Sequence, residues 1–202
     1  MALRNAVMAA LLEGEASGYD LAKGFEASVA NFWMATPQQL YRELERMESE
    51  GLVSARVVQQ ERRPNKRLFS LTETGLGVLR DYVGETPVKP LALRDELMVK
   101  VQCVDIGDVA EFDAVRAAVA ERHERATAKL ARYRRMQERM LDGRSEEDYL
   151  ATAERIGPYL TLLGGIALEQ ANLQWGETVL DRLERRSSAR GGPALDRPGL
   201  RR

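Results

Sequence analysis

Two sets of side chains in this 202-residue chain are spaced so that they could do chemistry. Gln38, Gln39, Arg42 and Arg46 follow Thr36-Pro37 at helical spacing, and Arg62, Arg63, Lys66 and Arg67 fall within six positions that hold no carboxylate. Glutamine and arginine on an exposed helix carry the donors and acceptors that match adenine and guanine edges in a major groove. Four cations in so short a run repel one another unless water or phosphate meets them. Each set also has a plain reading: a solvated face of good helix formers for the first, and an edge hairpin guarded by charge for the second. Nothing comparable points to catalysis. One histidine, His123, and one cysteine, Cys103, do not furnish a metal site or a nucleophile with its base. The carboxylate pairs Glu146-Glu147 and Glu48 with Glu50 fall on exposed helical turns, so we expect no enzyme, no metal and no cofactor.

The elements that must position these groups follow from period and capping. Thr36-Pro37-Gln38-Gln39 is a capping box with proline at the first helical position. Leu40, Leu44 and Met47 then face inward and Gly51 ends the helix, which turns Gln38, Arg42, Glu45 and Ser49 outward with Gln39 and Arg46 beside them. Tyr41, about 100° from Leu40 around the helix, stands on the border. Two helices precede it. Leu3, Val7, Ala10 and Leu11 form one stripe, and Ser17 caps a second helix to Phe32 that buries Leu21, Phe25 and Val29, with Trp33 in the core. After Gly51, the stretches 52–59 and 67–71 have strand composition and a Pro64-Asn65 turn between them, giving a hairpin with a basic tip. Three helices and then a basic hairpin is the order of a winged helix-turn-helix.

The remainder reads differently. With 44% apolar and 30% charged residues the chain is long enough for one medium domain or two small ones. Its formal net charge of −1 averages unlike parts, because seven arginines lie from Arg182 onward against only Glu184 and Asp196, leaving an acidic body. The apolar start of the chain fits an amphipathic helix better than a signal peptide, no run is long enough to span a bilayer, and a cytoplasmic protein is expected. We divide the chain into a winged helix-turn-helix domain at 1–84, a linker with two prolines at 85–93, a helical domain at 94–186, and a disordered arginine-containing tail at 187–202. Residues 94–104 fit either a strand or a short helix, and we prefer the helix. Phe112, Val115, Val119, Ala126, Leu130, Tyr133 and Met140 then line a long helix, with His123 beside the stripe as a packed interface residue or, alternatively, a pH or ligand sensor. After a break at 142–145, Ser145 caps a second long helix that Gly157-Pro158 should kink and that is apolar on nearly every side at 162–169. Two such helices have more apolar surface than a small domain can cover, so a second copy is the expected partner.

One resemblance covers most of the chain. The strings Gly18-Tyr19-Asp20-Leu21, Phe32-Trp33, Gln39-Leu40-Tyr41-Arg42-Glu43-Leu44 running on to Glu50-Gly51-Leu52-Val53, and Leu71-Thr72-Glu73-Thr74-Gly75 resemble the PadR family of bacterial transcriptional regulators. The run from Leu163 to Trp175 is similar to the carboxy-terminal helical domain of its longer members. Gln39 and Phe69 depart from the family, which commonly has a small residue and a tyrosine at these places. The resemblance implies a mainly α fold, a winged helix-turn-helix with a two-stranded β wing plus a long-helix dimerisation domain. It also implies a homodimer that binds double-stranded DNA at a roughly palindromic operator, commonly as a repressor relieved by a small aromatic effector. On it, Gln38, Gln39 and Arg42 enter the major groove, flanked by Thr36 and Arg46, while Tyr41 and the wing residues Arg62, Arg63, Lys66 and Arg67 hold the backbone. Trp33, Tyr133, Trp175 and Gly164-Gly165 are the candidate pocket elements. The competing reading is a helical interaction module whose winged domain binds protein, favoured by Glu43, Glu45, Glu48 and Glu50.

Overall fold

A computed structural model describes residues 2–25, 35–59, 65–85, 94–106 and 108–190. The chain forms two compact units that interleave in sequence: Met1–Leu91 with Arg144–Gly165, and Ala92–Gly143 with Ile166–Arg202.

In the first unit, α1 (Ala2–Leu11) buries Val7, Met8 and Leu11, and the turn after it reaches Gly14, whose φ of 127° only glycine tolerates well. Strand β1 (Ala16–Ser17) leads directly into α2 (Gly18–Phe25), where the Asp20 amide donates to Ser17 Oγ at 3.1 Å, the cap the sequence predicts. The continuation of this helix to Phe32, with Val29 and Trp33, lies outside the described residues. Helix α3 (Pro37–Ser49) starts in the expected capping box: Gln39 N donates to Thr36 Oγ1 at 3.2 Å and Thr36 N to Gln39 Oε1 at 2.9 Å. It ends in a Schellman motif, with Leu52 N bonded to Met47 O, Gly51 N to Glu48 O, and Gly51 at φ 71°. Leu40, Leu44 and Met47 are at most 1% exposed, which settles the orientation of the helix.

Strands β2 (Val53–Val58) and β3 (Lys66–Leu71) pair antiparallel from Val53 opposite Leu71 to Val58 opposite Lys66. The sheet has three strands rather than two, because Ala16 and Ser17 pair with Phe69 and Leu68 on the free edge of β3. Two residues are too few to show alternation, so period-based reading passes over them. A fourth helix, α4 (Glu73–Gly84), is likewise not among the elements expected from period. Thr72 caps it by accepting from Gly75 N at 3.0 Å, and its hydroxyl lies 2.7 Å from the Gly51 carbonyl and 3.1 Å from that of Leu52. A Cβ on Gly75 would stand 2.1 Å from Leu52 O. The string Leu71-Thr72-x-x-Gly75 is therefore a docking device that seats α4 against the end of α3.

The first unit also takes in α7 (Glu146–Thr152) and the start of α8 (Gly157–Arg190). Tyr149 and Tyr159 are buried there with ring centroids 5.0 Å apart, and the Arg144 guanidinium lies 5.0 Å from the Tyr149 ring. The sequence suggests one helix kinked at Gly157-Pro158. Instead two helices are separated at 153–156, because Pro158 falls in the first turn of α8, where its missing N–H costs no bond. Helix α8 runs unbroken through Gly164-Gly165 and continues to Arg190, four residues into the segment expected to be disordered. Nor is it apolar all round: Leu162 and Ile166 are buried, but Leu160 and Leu168 are nearly half exposed.

In the second unit the ambiguous stretch is the helix α5 (Glu96–Gln102), capped by Asp95 accepting from Leu97 N at 3.1 Å. Helix α6 (Val109–Leu141) opens in a capping box of Asp108 and Glu111 and buries Phe112, Val119, Ala126 and Tyr133 at heptad intervals. It runs antiparallel to α8, Lys129 pairing with Glu169 and His123 lying beside Gly176 and Glu177. The nearly buried Glu169 carboxylate accepts from Lys129 Nζ at 2.8 Å and from Asn172 Nδ2 at 3.0 Å, while Arg122 reaches Asn172 and Asp95 and lies 5.3 Å from the Trp175 ring centroid. Burial pulls the Lys129 ammonium down, but hydrogen bonding and attraction to Glu169 outweigh it and its pKa is raised. Of the three aromatic candidates for a pocket, Tyr133 is fully buried in this unit and Trp175 lies against Arg122, while Trp33 lies outside the described residues.

Candidate nucleic-acid interface

The outward face of α3 presents what its inward face requires. Gln38, Arg42, Glu45, Arg46 and Ser49 are all exposed. The side chains of Gln38 and Arg42, one turn apart, make no hydrogen bond or ion pair among the described residues, so both polar ends are available to a partner. Gln39 is partly committed, because its carbonyl oxygen holds the Thr36 amide and leaves its NH2 group free. The Thr36 hydroxyl accepts from Gln39 in the same box. Arg46, 65% exposed, pairs with Glu50 at 3.0 Å. Tyr41 is 45% exposed, and its ring lies so close over Gly18 that a Cβ there would stand 2.2 Å from Cε1. This contact explains two distant pieces of the sequence at once. Glycine at the start of α2 leaves the space that the Tyr41 ring of α3 occupies.

The wing is divided. Arg62 and Arg63 lie outside the described residues. The two cations at its base are tied to the body: Lys66 Nζ is 2.7 Å from Asp20 Oδ2, and Arg67 NH2 is 2.6 Å from Glu48 Oε2, with its guanidinium 5.2 Å from the Phe69 ring centroid. Hydrogen bonds from Lys66 and then Ser17 hold the Asp20 carboxyl below its usual range. On the neighbouring strand Arg56 pairs with Glu15 in the same manner. The cations at the base of the wing thus join β2 and β3 to the helical body through carboxylates that no run of basic residues reveals.

The acidic residues of α3 have equally local uses. Arg4 of α1 places Nε 3.1 Å from Glu43 Oε1 and NH1 2.7 Å from Glu50 Oε2, and hydrogen bonds from Arg4 and then Arg46 hold the Glu50 carboxyl down. With Glu48 taken by Arg67, only Glu45 of the four is without a partner among the described residues. The charges that favoured a protein-binding module are instead spent inside the fold. Sequence reasoning missed Arg4, Gly18 and Gly75 as parts of this site's support, since their partners lie 23 to 46 positions away or are backbone atoms.

Residues 7–81 match the model of the transcriptional regulator PadR-like family, and residues 93–184 match the virulence activator alpha C-terminal model. Over 91% of its length the chain is 34% identical to the probable transcriptional regulator Rv1176c of Mycobacterium tuberculosis, covering 98% of that protein. The chain belongs to the PadR-like family of transcriptional regulators. This PadR-like protein is also 25% identical to the negative transcriptional regulator PadR of Bacillus subtilis over 91% of its length and 98% of the relative. Its fold is that of the B. subtilis PadR crystal structure in complex with operator DNA, with a TM-score of 0.69 at 24% identity, covering 91% of this chain and 99% of that one. The Vibrio cholerae virulence activator AphA matches with a TM-score of 0.62 at 27% identity, over 91% and 98% of the two chains. The protein is a DNA-binding transcriptional regulator, in a family of regulators rather than enzymes, and not the protein-binding module that was the competing reading. No helix among the described residues is long and apolar enough to cross a membrane.

Proposed function

We propose that this PadR-like regulator is a cytoplasmic homodimeric repressor that reads DNA with the outward face of α3. The observation that carries the reading is the pair Gln38 and Arg42, exposed, unpartnered among the described residues and one turn apart on a helix whose other face is sealed in the core. Arginine and glutamine so placed can each make a two-point contact to a base edge. Thr36, Gln39, Tyr41 and Arg46 border that face, and Arg62 and Arg63 at the wing tip supply phosphate contacts, with Lys66 and Arg67 contributing less because each holds a carboxylate. In this reading 1–84 is the DNA-binding domain, 85–93 the linker, 94–186 the dimerisation and sensing domain, and 187–202 an arginine-containing tail.

A second copy is the expected partner of the helical unit, where Val99, Ile106 and Val109 are 63%, 84% and 75% exposed. A twofold dimer sets two α3 helices about 34 Å apart, one turn of DNA, on a roughly palindromic operator. Repression and its relief by a small aromatic effector are supported by B. subtilis PadR, a negative regulator whose structure is also known with p-coumaric acid. The test starts from a duplex selected by the full-length protein out of a random-sequence pool. Footprinting should show two protected half-sites one helical turn apart, and p-coumaric acid is the first effector to try in a release assay. A single unsymmetrical half-site with one chain bound would overturn the dimeric reading.

A further inference from the structure

Within the first unit, one arginine joins segments that lie far apart in sequence. Arg155 sits in the break at 153–156 between α7 and α8, and its NH1 donates to the Leu12 carbonyl at 2.5 Å and pairs with Glu13 Oε1 at 3.3 Å. Leu12 directly follows α1, so its carbonyl belongs to the helix end that lacks internal donors and carries the negative pole of the helix dipole. A guanidinium there both satisfies the end of α1 and ties it to the break. At the opposite end of the same helix, Arg4 holds Glu43 at 3.1 Å and both carboxylate oxygens of Glu50, at 2.7 and 2.9 Å, on α3 and its C-cap. Arg4 and Glu43 are each 18% exposed at the side chain, so these pairs are partly shielded from solvent and salt. Between the two arginines Val7, Met8 and Leu11 are packed in the core, and a close-packed helix of this kind moves as a body.

We infer that Arg4 and Arg155 make α1 a strut between the α7–α8 break and the DNA-reading helix, so that both are positioning residues for operator recognition. A change of angle at 153–156 displaces the anchor on Leu12 and Glu13, and α1 passes that displacement through Arg4 to Glu43 and Glu50. Helix α8 leads covalently from this break into the second unit, which gives a bend in α8 a route to α3 that needs no contact of Arg155 with DNA. The inference rests on the reading of α3 as the helix that meets the bases.

The test uses the full-length protein, the duplex it selects from a random pool, and poly(dI-dC) as the sequence-neutral probe. Arg155→Met should weaken binding to the selected duplex about tenfold while poly(dI-dC) binding stays within about twofold, since residues that touch neither ligand alter coupling by such factors. Arg4→Met should do the same. The double variant should be no weaker than the weaker single variant, whereas independent sites this far apart would multiply their losses. Wild-type affinity for the selected duplex in Arg155→Met, or multiplying losses in the double variant, overturns the strut. If circular dichroism shows that Arg155→Met does not fold, Arg155→Gln keeps one donor toward Leu12 without the pair to Glu13. It should show a smaller loss of the same kind, and wild-type binding by it overturns the inference equally. Gln38→Ala in the same assay separates the two ideas. If it leaves sequence preference intact, the reading of α3 has failed and the strut falls with it; if it weakens selected binding while Arg155→Met does not, the strut alone is wrong.

Discussion

The outward face of α3 and the base of the wing are both rich in polar and basic side chains, yet the fold treats them in opposite ways. On α3, Gln38 and Arg42 are left without partners among the described residues, while at the wing base Lys66 and Arg67 are matched one to one with Asp20 and Glu48. An unpartnered group on a rigid helix keeps its hydrogen-bonding capacity for a ligand. A paired group has already used part of that capacity to orient the wing. The comparison teaches that a count of cations overstates the charge a surface can offer a partner, because some of them are already matched within the fold.

The largest effect that would break this comparison comes from the unpartnered pair. Replacing Gln38 and Arg42 together by alanine should cost roughly 1 to 3 kcal/mol for each base that is no longer read, on the selected duplex only. Binding to poly(dI-dC) should change far less, apart from a contribution if Arg42 also approaches a phosphate. Measured by fluorescence anisotropy, equal losses on both duplexes would mean that this face does not read sequence. Next in size is the wing tip. Arg62→Ala with Arg63→Ala should make the slope of log affinity against log salt shallower by roughly 3 to 4 for the dimer, because two phosphates per subunit are then no longer neutralised and keep their counterions. An unchanged slope would remove the wing tip from the interface.

How much of this was legible in the sequence depends on the range of each interaction. The capping box of α3, its buried Leu40, Leu44 and Met47, and the hairpin after Gly51 were all readable, because each is written within a few residues and obeys a helical or strand period. Ser17, Ser145 and the short helix α5 belong to the same class. Helix α4 escaped because its logic is not periodic but tertiary: Thr72 and Gly75 are chosen for the carbonyls of Gly51 and Leu52. Pro158 was misjudged for a related reason, since a proline that breaks a helix and one that begins it look alike until the residues before it are seen to leave the helical path. At the site itself the outward residues of α3 were read correctly as exposed. What could not be read was the use made of the charges, because the partners of Arg4, Lys66 and Arg67 lie 19 to 46 positions away.

A smaller effect sharpens the contrast at the wing base. Lys66→Ala or Arg67→Ala should lower thermal stability by under about 1 kcal/mol each, the usual worth of a surface ion pair. Each should also flatten the salt slope by clearly less than an arginine of the tip does. A loss of about two units of slope in Arg67→Ala, one for each subunit of the dimer, would show that phosphate displaces Glu48 and that the wing base binds DNA as strongly as the tip.

The smallest effect is one of pH, and it separates holding from reading because arginine and glutamine do not titrate in the acid range whereas the carboxylates at the wing base do. Asp20, its pKa depressed by Lys66 and Ser17, favours the folded state when ionised. Its contribution is therefore present above the ordinary aspartate pKa of about 3.9 and is lost as the pH falls through the lower value of the folded protein. Thermal midpoints of the full chain should decline on acidification below about pH 4, and Asp20→Asn should show a shallower decline over that interval while matching the sequence preference of the wild type at neutral pH. The asparagine keeps the shape and can still accept from Ser17, so what it removes is the charge that Lys66 pairs with. If Asp20→Asn instead changed which duplex is preferred, the tie between α2 and the wing would be part of the reading surface, and the division between the two regions would lie elsewhere than between α3 and β3.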